Sequence, residues 1–131
     1  MDLWRARRTS LDAPFSASEN LGPAINTKAD EGSPVFTSDP QTILFTREGT
    51  KGTKEALSAL KLAVEDAKGQ WTTRTLDLPG VPNIGGVYSP TLSPDGRTLY
   101  FGSNENTPGG KGGNDLWQIH RVPKAQPATP R

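Results

Sequence analysis

The feature that most constrains the fold of this chain is a hairpin-like segment that occurs twice. Residues 89–101, SPTLSPDGRTLYF, place strand-forming residues on both sides of a Pro-Asp-Gly turn. Residues 33–45, SPVFTSDPQTILF, repeat this pattern 56 positions earlier, with the same opening Ser-Pro, turn aspartate and apolar second strand. Pro40 stands where Gly96 would fall, so the earlier copy is expected to use a different turn geometry. Such an internal repeat indicates a repeat architecture.

A second recurring segment sets the period of the repeat. Residues 2–8, DLWRARR, match residues 115–121, DLWQIHR, at an offset of 113, close to two periods of 56. Each period supplies about four strands, which is the content of a β-propeller blade, and exceeds the usual blade length of ~40–45 residues. Long loops rich in glycine and proline account for the excess.

The composition agrees with an all-β chain. Of the 131 residues only 32% are hydrophobic, while 14 are glycine and 12 are proline, which favours many short strands joined by tight turns. The net charge of +1 gives no general attraction to nucleic acid or acidic membranes, so no nucleic-acid partner is expected. No apolar run approaches the roughly 18 residues that a membrane span needs, so no membrane insertion is expected.

One segment gives conflicting signals for its secondary structure. Residues 54–68 are rich in helix formers, and Leu57, Leu60 and Val64 follow a helical spacing. Apolar residues also alternate with other residues from Leu60 to Val64, which is strand periodicity, and the repeat places Leu60 on Trp4. Because tertiary context overrides a weak helix propensity, we favour a strand, with a helix as the alternative.

The hairpin motif carries a resemblance to a known family. Residues 89–101, followed by GGKGGNDLW at 109–117, resemble the repeat of the TolB-type (WD-repeat-like) β-propeller family, and residues 20–27 and 30–34 resemble its inter-blade connector. The resemblance implies a blade-forming, usually non-catalytic module that binds proteins or glycans in the bacterial periplasm, cell envelope or secreted fraction. Charged residues occupy the N-terminus where an apolar segment would be needed, so no signal peptide is expected on this chain.

The repeat predicts parts of three blades in an incomplete or open propeller. Residues 1–122 form the partial propeller: 2–27 end one blade, 33–78 are a complete four-stranded blade, and 87–122 start the next. Residues 123–131 contain three prolines and are predicted to be a disordered tail. Closed propellers need roughly 4–8 blades. The chain is therefore expected to be a fragment that meets remaining blades, to form a ring of copies, or to self-associate through open sheet edges.

Catalytic chemistry has little support in the sequence. His120 is the only histidine, cysteine is absent and no G-x-S-x-G motif occurs, so neither a Ser-His-Asp nor a Cys-His arrangement is predicted. Asp39 and Asp95 occupy equivalent turns of successive repeats, which indicates a structural role for both. We therefore predict that the chain is not an enzyme and uses no cofactor or metal.

A protein-binding role is the prediction for the loops, because function on such scaffolds lies in loops. The alternatives are a glycan-binding propeller fragment, in which tryptophans stack on sugars, and the propeller domain of a larger hydrolase. Recurrence at equivalent positions favours packing between blades for Trp4, Trp71 and Trp117. The loop at 102–114 is the longest and most polar, and its candidate binding residues are Asn104, Glu105, Asn106, Lys111, Asn114 and Asp115.

Overall fold

The chain is all-β in a computed structural model, which describes residues 1–49, 58–78, 86–103 and 109–121. The strands of these residues form three antiparallel sheets of two, four and three strands, and none of the sheets closes on itself. No helix occurs within these four ranges, so none there could cross a membrane. The predicted all-β class is confirmed.

The strands of each sheet follow chain order, so each strand pairs antiparallel with its neighbour in sequence. The first sheet is formed by β1 (Trp4–Arg5) and β2 (Glu19–Asn20), the second by β3 (Glu31–Phe36), β4 (Thr42–Arg47), β5 (Ala59–Glu65) and β6 (Trp71–Thr75), and the third by β7 (Tyr88–Leu92), β8 (Thr98–Ser103) and β9 (Asp115–His120).

The segment with conflicting signals is a strand where it is described. β5 covers Ala59–Glu65 and pairs with β4 and β6 along its length, which confirms the strand prediction for these residues. Strand pairing on both sides outweighs the helix propensity of the segment. Residues 54–57, and the tail at 123–131, lie outside the described residues.

The strand pairing corrects one detail of the repeat register. Leu60 pairs with a residue of β4, and Leu116 pairs with a residue of β8. These two partner residues are 56 positions apart, as are the two leucines. Leu60 therefore corresponds to Leu116, and Lys61 to Trp117, so the predicted placement of Leu60 on Trp4 is wrong by one residue. The sequence offset is 57 between the first two sheets and 56 between the last two. Such a one-residue difference moves a side chain to the opposite face.

The second sheet lies between the other two. Successive side chains of a strand point to opposite faces, and β4 therefore contributes Ile43 and Phe45 to one core cluster and Leu44 to the other. The first cluster, shared with the first sheet, contains Leu3, Ile25, Ile43, Phe45 and Ala63; the second, shared with the third sheet, contains Leu44, Leu60, Val87, Leu99 and Phe101.

The two copies of the hairpin share an irregular backbone. The register of each shifts at the same place, between Gly32 and Val35 in the first copy and between Tyr88 and Thr91 in the second. The serines at these shifts, Ser33 and Ser89, occupy the same position of the repeat. Their left-handed φ angles of 48° and 46° are uncommon for residues other than glycine. The repeat seen in the sequence is thus also a repeat of β-bulges.

The aspartate turns of the two hairpins also correspond. Oδ1 of Asp39 accepts the N–H of Gln41, and Oδ1 of Asp95 accepts the N–H of Arg97, each at 3.0 Å. Gly96 takes a φ of 67°, whereas the ring of Pro40 excludes such a value, so the two turns differ as predicted. Both aspartates act as structural acceptors of turn hydrogen bonds.

Candidate binding surface

The third sheet carries a groove on the face that points away from the second sheet. Its volume is about 610 Å³, within the roughly 300–1,000 Å³ range of ligand pockets. Aromatic side chains and a leucine line it together with small polar residues. Its lining includes Tyr88, Thr91, Tyr100, Gly102, Asn114 and Leu116.

A glycine on the middle strand opens the groove. Gly102 of β8 lies opposite Tyr88 of β7 on one side and Leu116 of β9 on the other. A methyl group at Gly102 would make only ordinary contacts with Tyr88, the nearest atom being its carbonyl oxygen at 3.6 Å. The absence of a side chain therefore leaves open space between two apolar residues and exposes the backbone as a floor.

The apolar side chains of the groove are exposed to an unusual degree for strand residues. Tyr88 is 41% exposed, Tyr100 is 46% exposed and Leu116 is 91% exposed. Tyr100 lies between the buried Leu99 and Phe101 on the same strand, so strand alternation places it on the opposite face. The groove is thus an exposed apolar patch with a polar rim, a pattern that marks interaction sites.

The predicted binding residues are distributed differently from the groove. Asn104, Glu105 and Asn106 lie outside the described residues. The backbone N–H of Lys111 donates to Oδ2 of Asp115 at 2.8 Å, which ties the glycine-rich loop to the start of β9. Asn114 is exposed and lines the groove, so it is the one described member of the set that meets this surface.

Tyr88, Tyr100 and Leu116 are not among the residues that the sequence predicted for binding. The prediction followed the polar composition of the 102–114 loop, because strand residues are ordinarily covered by packing. The alternation of Tyr100 and Leu116 with core-facing neighbours does place both on the opposite face of the sheet, but it does not show whether that face is exposed.

The tryptophans differ in their surroundings. Trp71 and Trp117 are half-buried against the first and second core clusters, in line with the predicted packing role, whereas Trp4 is 59% exposed. The backbone at Gly109 lies close to the edge of the Trp117 ring, since a methyl group there would be 3.3 Å from it. Trp117 is therefore a packing residue and is poorly placed to stack on a sugar.

A charged contact joins the first sheet to the second. The guanidinium of Arg5 donates to both carboxylate oxygens of Glu65, at 2.7 and 3.0 Å, and to Glu19 at 2.7 Å. Hydrogen bonding from Arg5 lowers the pKa of Glu65 below its usual value, although burial opposes the shift. This geometry is a bidentate ion pair that links two layers.

Other groups with altered acidity also have structural partners. The hydroxyl of Thr42, followed by the N–H of Gln41, lowers the pKa of Asp39. The hydroxyl of Ser93, followed by the N–H of Arg97, lowers the pKa of Asp95. Within the four described ranges, no group of three or more histidine, cysteine, aspartate or glutamate residues is arranged to hold a metal ion.

Comparison with known proteins gives no match. The chain matches no family model, no curated protein and no solved structure. Function is therefore inferred from the residues of the chain itself.

Proposed function

We propose that this chain is a non-enzymatic binding module, a segment of a TolB-type β-propeller, that presents the groove of its third sheet and the adjoining loop to a protein partner. The observation that carries the proposal is the exposed apolar groove between Tyr88 and Leu116. Tyrosine and other aromatic residues are enriched at the centre of protein interfaces, where they act as anchors inside a polar rim. The groove has both features.

The arrangement of the sheets supports the propeller part of the proposal. The second sheet has the four antiparallel strands of a propeller blade, and its neighbours pack on its two faces. The bulge and the aspartate turn recur one repeat period later, in the third sheet. A module built by stacking one repeated unit accounts for all three features.

The chemistry of the groove supports binding over catalysis. Among its described lining residues, the titratable side chains are the phenols of Tyr88 and Tyr100. General acid–base catalysis most often uses histidine or a carboxylate with an altered pKa. In the part of the chain that the structure describes, the carboxylates with altered pKa lie in turns or in the Arg5–Glu65 pair, where structural hydrogen bonds occupy them.

The proposal is tested with a groove variant and a matched surface variant. The double variant Tyr88→Ser, Tyr100→Ser removes both anchors, whereas Phe36→Ser removes an aromatic side chain of the second sheet that is 67% exposed. Partners captured by the wild-type chain are purified, and their affinity for each variant is measured by calorimetry. Loss of anchor residues should weaken binding by about 30-fold or more, the effect of a ≥ 2 kcal/mol hot spot, and Phe36→Ser should leave it unchanged.

A partner that binds the double variant as tightly as the wild type would contradict the proposal, provided that both chains give the same strand signal in circular dichroism. Equal weakening by Phe36→Ser would also contradict it, because the effect would then not belong to the groove.

Glycan binding is the second candidate, and the pair of half-exposed tyrosines favours it. Aromatic rings with a polar rim can stack on sugars, and Ser89 and Thr91 supply hydroxyl groups near the rings. In that case oligosaccharides should bind the wild type saturably in calorimetry, and the tyrosine double variant should lose this binding. Trp117→Ala should instead destabilise the fold, because Trp117 packs against the second core cluster.

A further inference from the structure

Three leucines occupy the same position in the three sheets. The carbonyl of Leu3 accepts the N–H of Leu21, and the carbonyl of Leu60 accepts the N–H of Leu76, at 3.3 and 2.9 Å. Leu116 corresponds to Leu60 in the strand pairing described above. Leu3 and Leu60 are 7% and 2% exposed, because each packs against the following sheet, whereas Leu116 is 91% exposed.

A second position on the same face repeats this difference. Leu44 of β4 and Tyr100 of β8 are one repeat period apart and occupy the same place on the second strand of each hairpin. Leu44 is 4% exposed and lies in the cluster that the second sheet shares with the third. Tyr100 is 46% exposed. The third sheet covers this face of the second sheet, whereas the equivalent face of the third sheet is exposed.

The backbone contact that joins successive sheets has the same register. The carbonyl of Met1 accepts the N–H of Glu31 at 3.1 Å, and the carbonyl of Ser58 accepts the N–H of Val87 at 2.9 Å. Each acceptor lies two residues before the leucine of its sheet. Asn114 holds the third equivalent position, two residues before Leu116, and lines the groove. The third sheet therefore presents the apolar and backbone positions with which its predecessors bind a following sheet.

The opposite end of the molecule presents the complementary position. Trp4 follows the inward-facing Leu3 and points to the other side of the first sheet, where it is 59% exposed. It corresponds to Trp117, which packs in the same cluster as Leu60. Leu116 is thus the equivalent of Leu60, and Trp4 is the equivalent of Trp117. Inside the chain, Leu60 and Trp117 pack in the second core cluster. Leu116 and Trp4 lie on opposite outer faces of the stack.

We propose that the outer face of the third sheet, with Tyr88, Tyr100 and Leu116, binds the outer face of the first sheet, with Trp4, of a second copy of the chain. This contact between two chains would have the same form as the contact inside one chain, where Leu60 and Trp117 pack in one cluster between the second and third sheets. It joins unlike faces, so added copies form a ring if the rotation closes and an open stack if it does not. The inference rests on the proposed function, because it names the protein partner of the groove.

The test measures the mass of the 131-residue chain by light scattering over a range of concentrations. The wild type is expected to rise above 14.1 kDa with concentration. Leu116→Asp removes one face and Trp4→Asp removes the other, so each variant alone should remain a monomer. Mixed in equal amounts, the two variants retain one intact pair of faces and should form a dimer that does not grow further. Leu11→Asp, at an 81% exposed leucine, should assemble like the wild type.

Other outcomes overturn the inference. A wild type that stays monomeric at every concentration excludes a second copy as the partner. A Trp4→Asp variant that assembles like the wild type, beside a monomeric Leu116→Asp variant, indicates contact between two like faces. A mixture that stays monomeric excludes the head-to-tail contact, if circular dichroism shows both variants folded. None of these results removes a different protein as the partner of the groove, which the tyrosine double variant tests separately.

Discussion

The second and third sheets share the same backbone geometry, but different side chains stabilise it. In the second sheet, the end of the hairpin farthest from its turn is stabilised by Glu31, which is fully buried and forms an ion pair with Arg47 at 2.8 Å. The equivalent positions of the third sheet are Val87 and Ser103, and there the serine hydroxyl donates to the carbonyl of Gly86 at 2.8 Å. The bulge and the aspartate turn are common to both hairpins. The repeat therefore preserves backbone geometry, while the closing contact depends on the neighbouring connector.

The Glu31–Arg47 ion pair should make the hairpin of the second sheet far more sensitive to mutation at this end than the hairpin of the third sheet. Arg47→Met leaves the carboxylate of Glu31 buried without its cation, and loss of one member of a buried pair costs about 3–5 kcal/mol. Ser103→Ala removes the neutral hydrogen bond to the carbonyl of Gly86 and should cost about 1 kcal/mol. Urea unfolding of both variants measures the two costs. Equal costs would show that the two closures are energetically interchangeable.

Alanine substitution of the equivalent leucines, Leu60 and Leu116, should change the free energy of unfolding by different amounts, and this is the next largest difference. Leu60→Ala opens a cavity between two sheets and should cost about 2–5 kcal/mol. Leu116→Ala changes an exposed side chain and should alter the free energy of unfolding by about 0.5 kcal/mol or less. Thermal unfolding at low protein concentration gives both values. A cost at Leu116 as large as that at Leu60 would mean that Leu116 is covered in the folded monomer.

The connectors that precede the two hairpins should respond to changes at their glycines. Gly86 has a φ of 72°, and a methyl group there would lie 2.9 Å from the hydroxyl of Tyr88 and 3.3 Å from the backbone nitrogen of Ser58. Gly86→Ala should cost about 2–4 kcal/mol, because overpacking adds to left-handed strain. Gly22, at a φ of 80° with no atom within 4 Å of that methyl position, should cost about 1 kcal/mol on the same change.

Denaturant unfolding compares the two alanine variants directly. If both glycines cost the same, the contact with Tyr88 and Ser58 contributes nothing beyond backbone strain. A rescue of Gly86→Ala by Tyr88→Phe, which removes the nearest atom, would assign the extra cost to the tyrosine hydroxyl.

The link between the first and second sheets should give a smaller effect than Arg47→Met, Leu60→Ala or Gly86→Ala, together with a pH dependence. Arg121 holds the position of the third sheet that is equivalent to Glu65, so the third sheet has no corresponding carboxylate. The pKa of Glu65 is lowered from an ordinary value of 4.5 in the folded state, so its stabilisation is present above that pH and is lost as pH falls through the lower folded value. Glu65→Gln should cost about 1–3 kcal/mol at neutral pH.

Urea unfolding of wild type and Glu65→Gln across the acid range checks the sign. The difference in free energy of unfolding should shrink as pH falls below 4.5. A difference that grows on acidification would mean that Glu65 is more stable protonated, contrary to its contact with Arg5.

Much of the fold follows from the sequence, because local chemistry determines it. The Pro-Asp-Gly turn and the β-branched and aromatic residues after it predict the 89–101 hairpin, and the repeat extends that prediction to 33–45. The register of Leu60 was predicted wrongly, because the interval of 56 residues between the two hairpins does not hold between the first two sheets, which are offset by 57. The Glu31–Arg47 pair was missed as well, since it depends on the register that the bulge creates.

The candidate site was harder to predict for a physical reason. A polar loop at 102–114 is visible in the sequence, and Asn114 from it does reach the groove. Tyr100 and Leu116 have the pattern of ordinary packing residues, and their equivalents Leu44 and Leu60 are indeed buried. Exposure of such residues depends on whether a further layer covers them. That is a property of the stack and is not encoded in the local pattern.

The third sheet carries the same apolar face as the second and leaves it uncovered, and both proposals depend on this difference. The chain has no cysteine, so Leu60→Cys and Leu116→Cys each introduce a single thiol. The rate of labelling by a maleimide, measured at high dilution, reports the exposure of each position. We expect the thiol at 116 to react like that of a free peptide, while the thiol at 60 reacts only as fast as the protein opens. Equal rates at the two positions, or faster labelling at 60, would contradict the uncovered face.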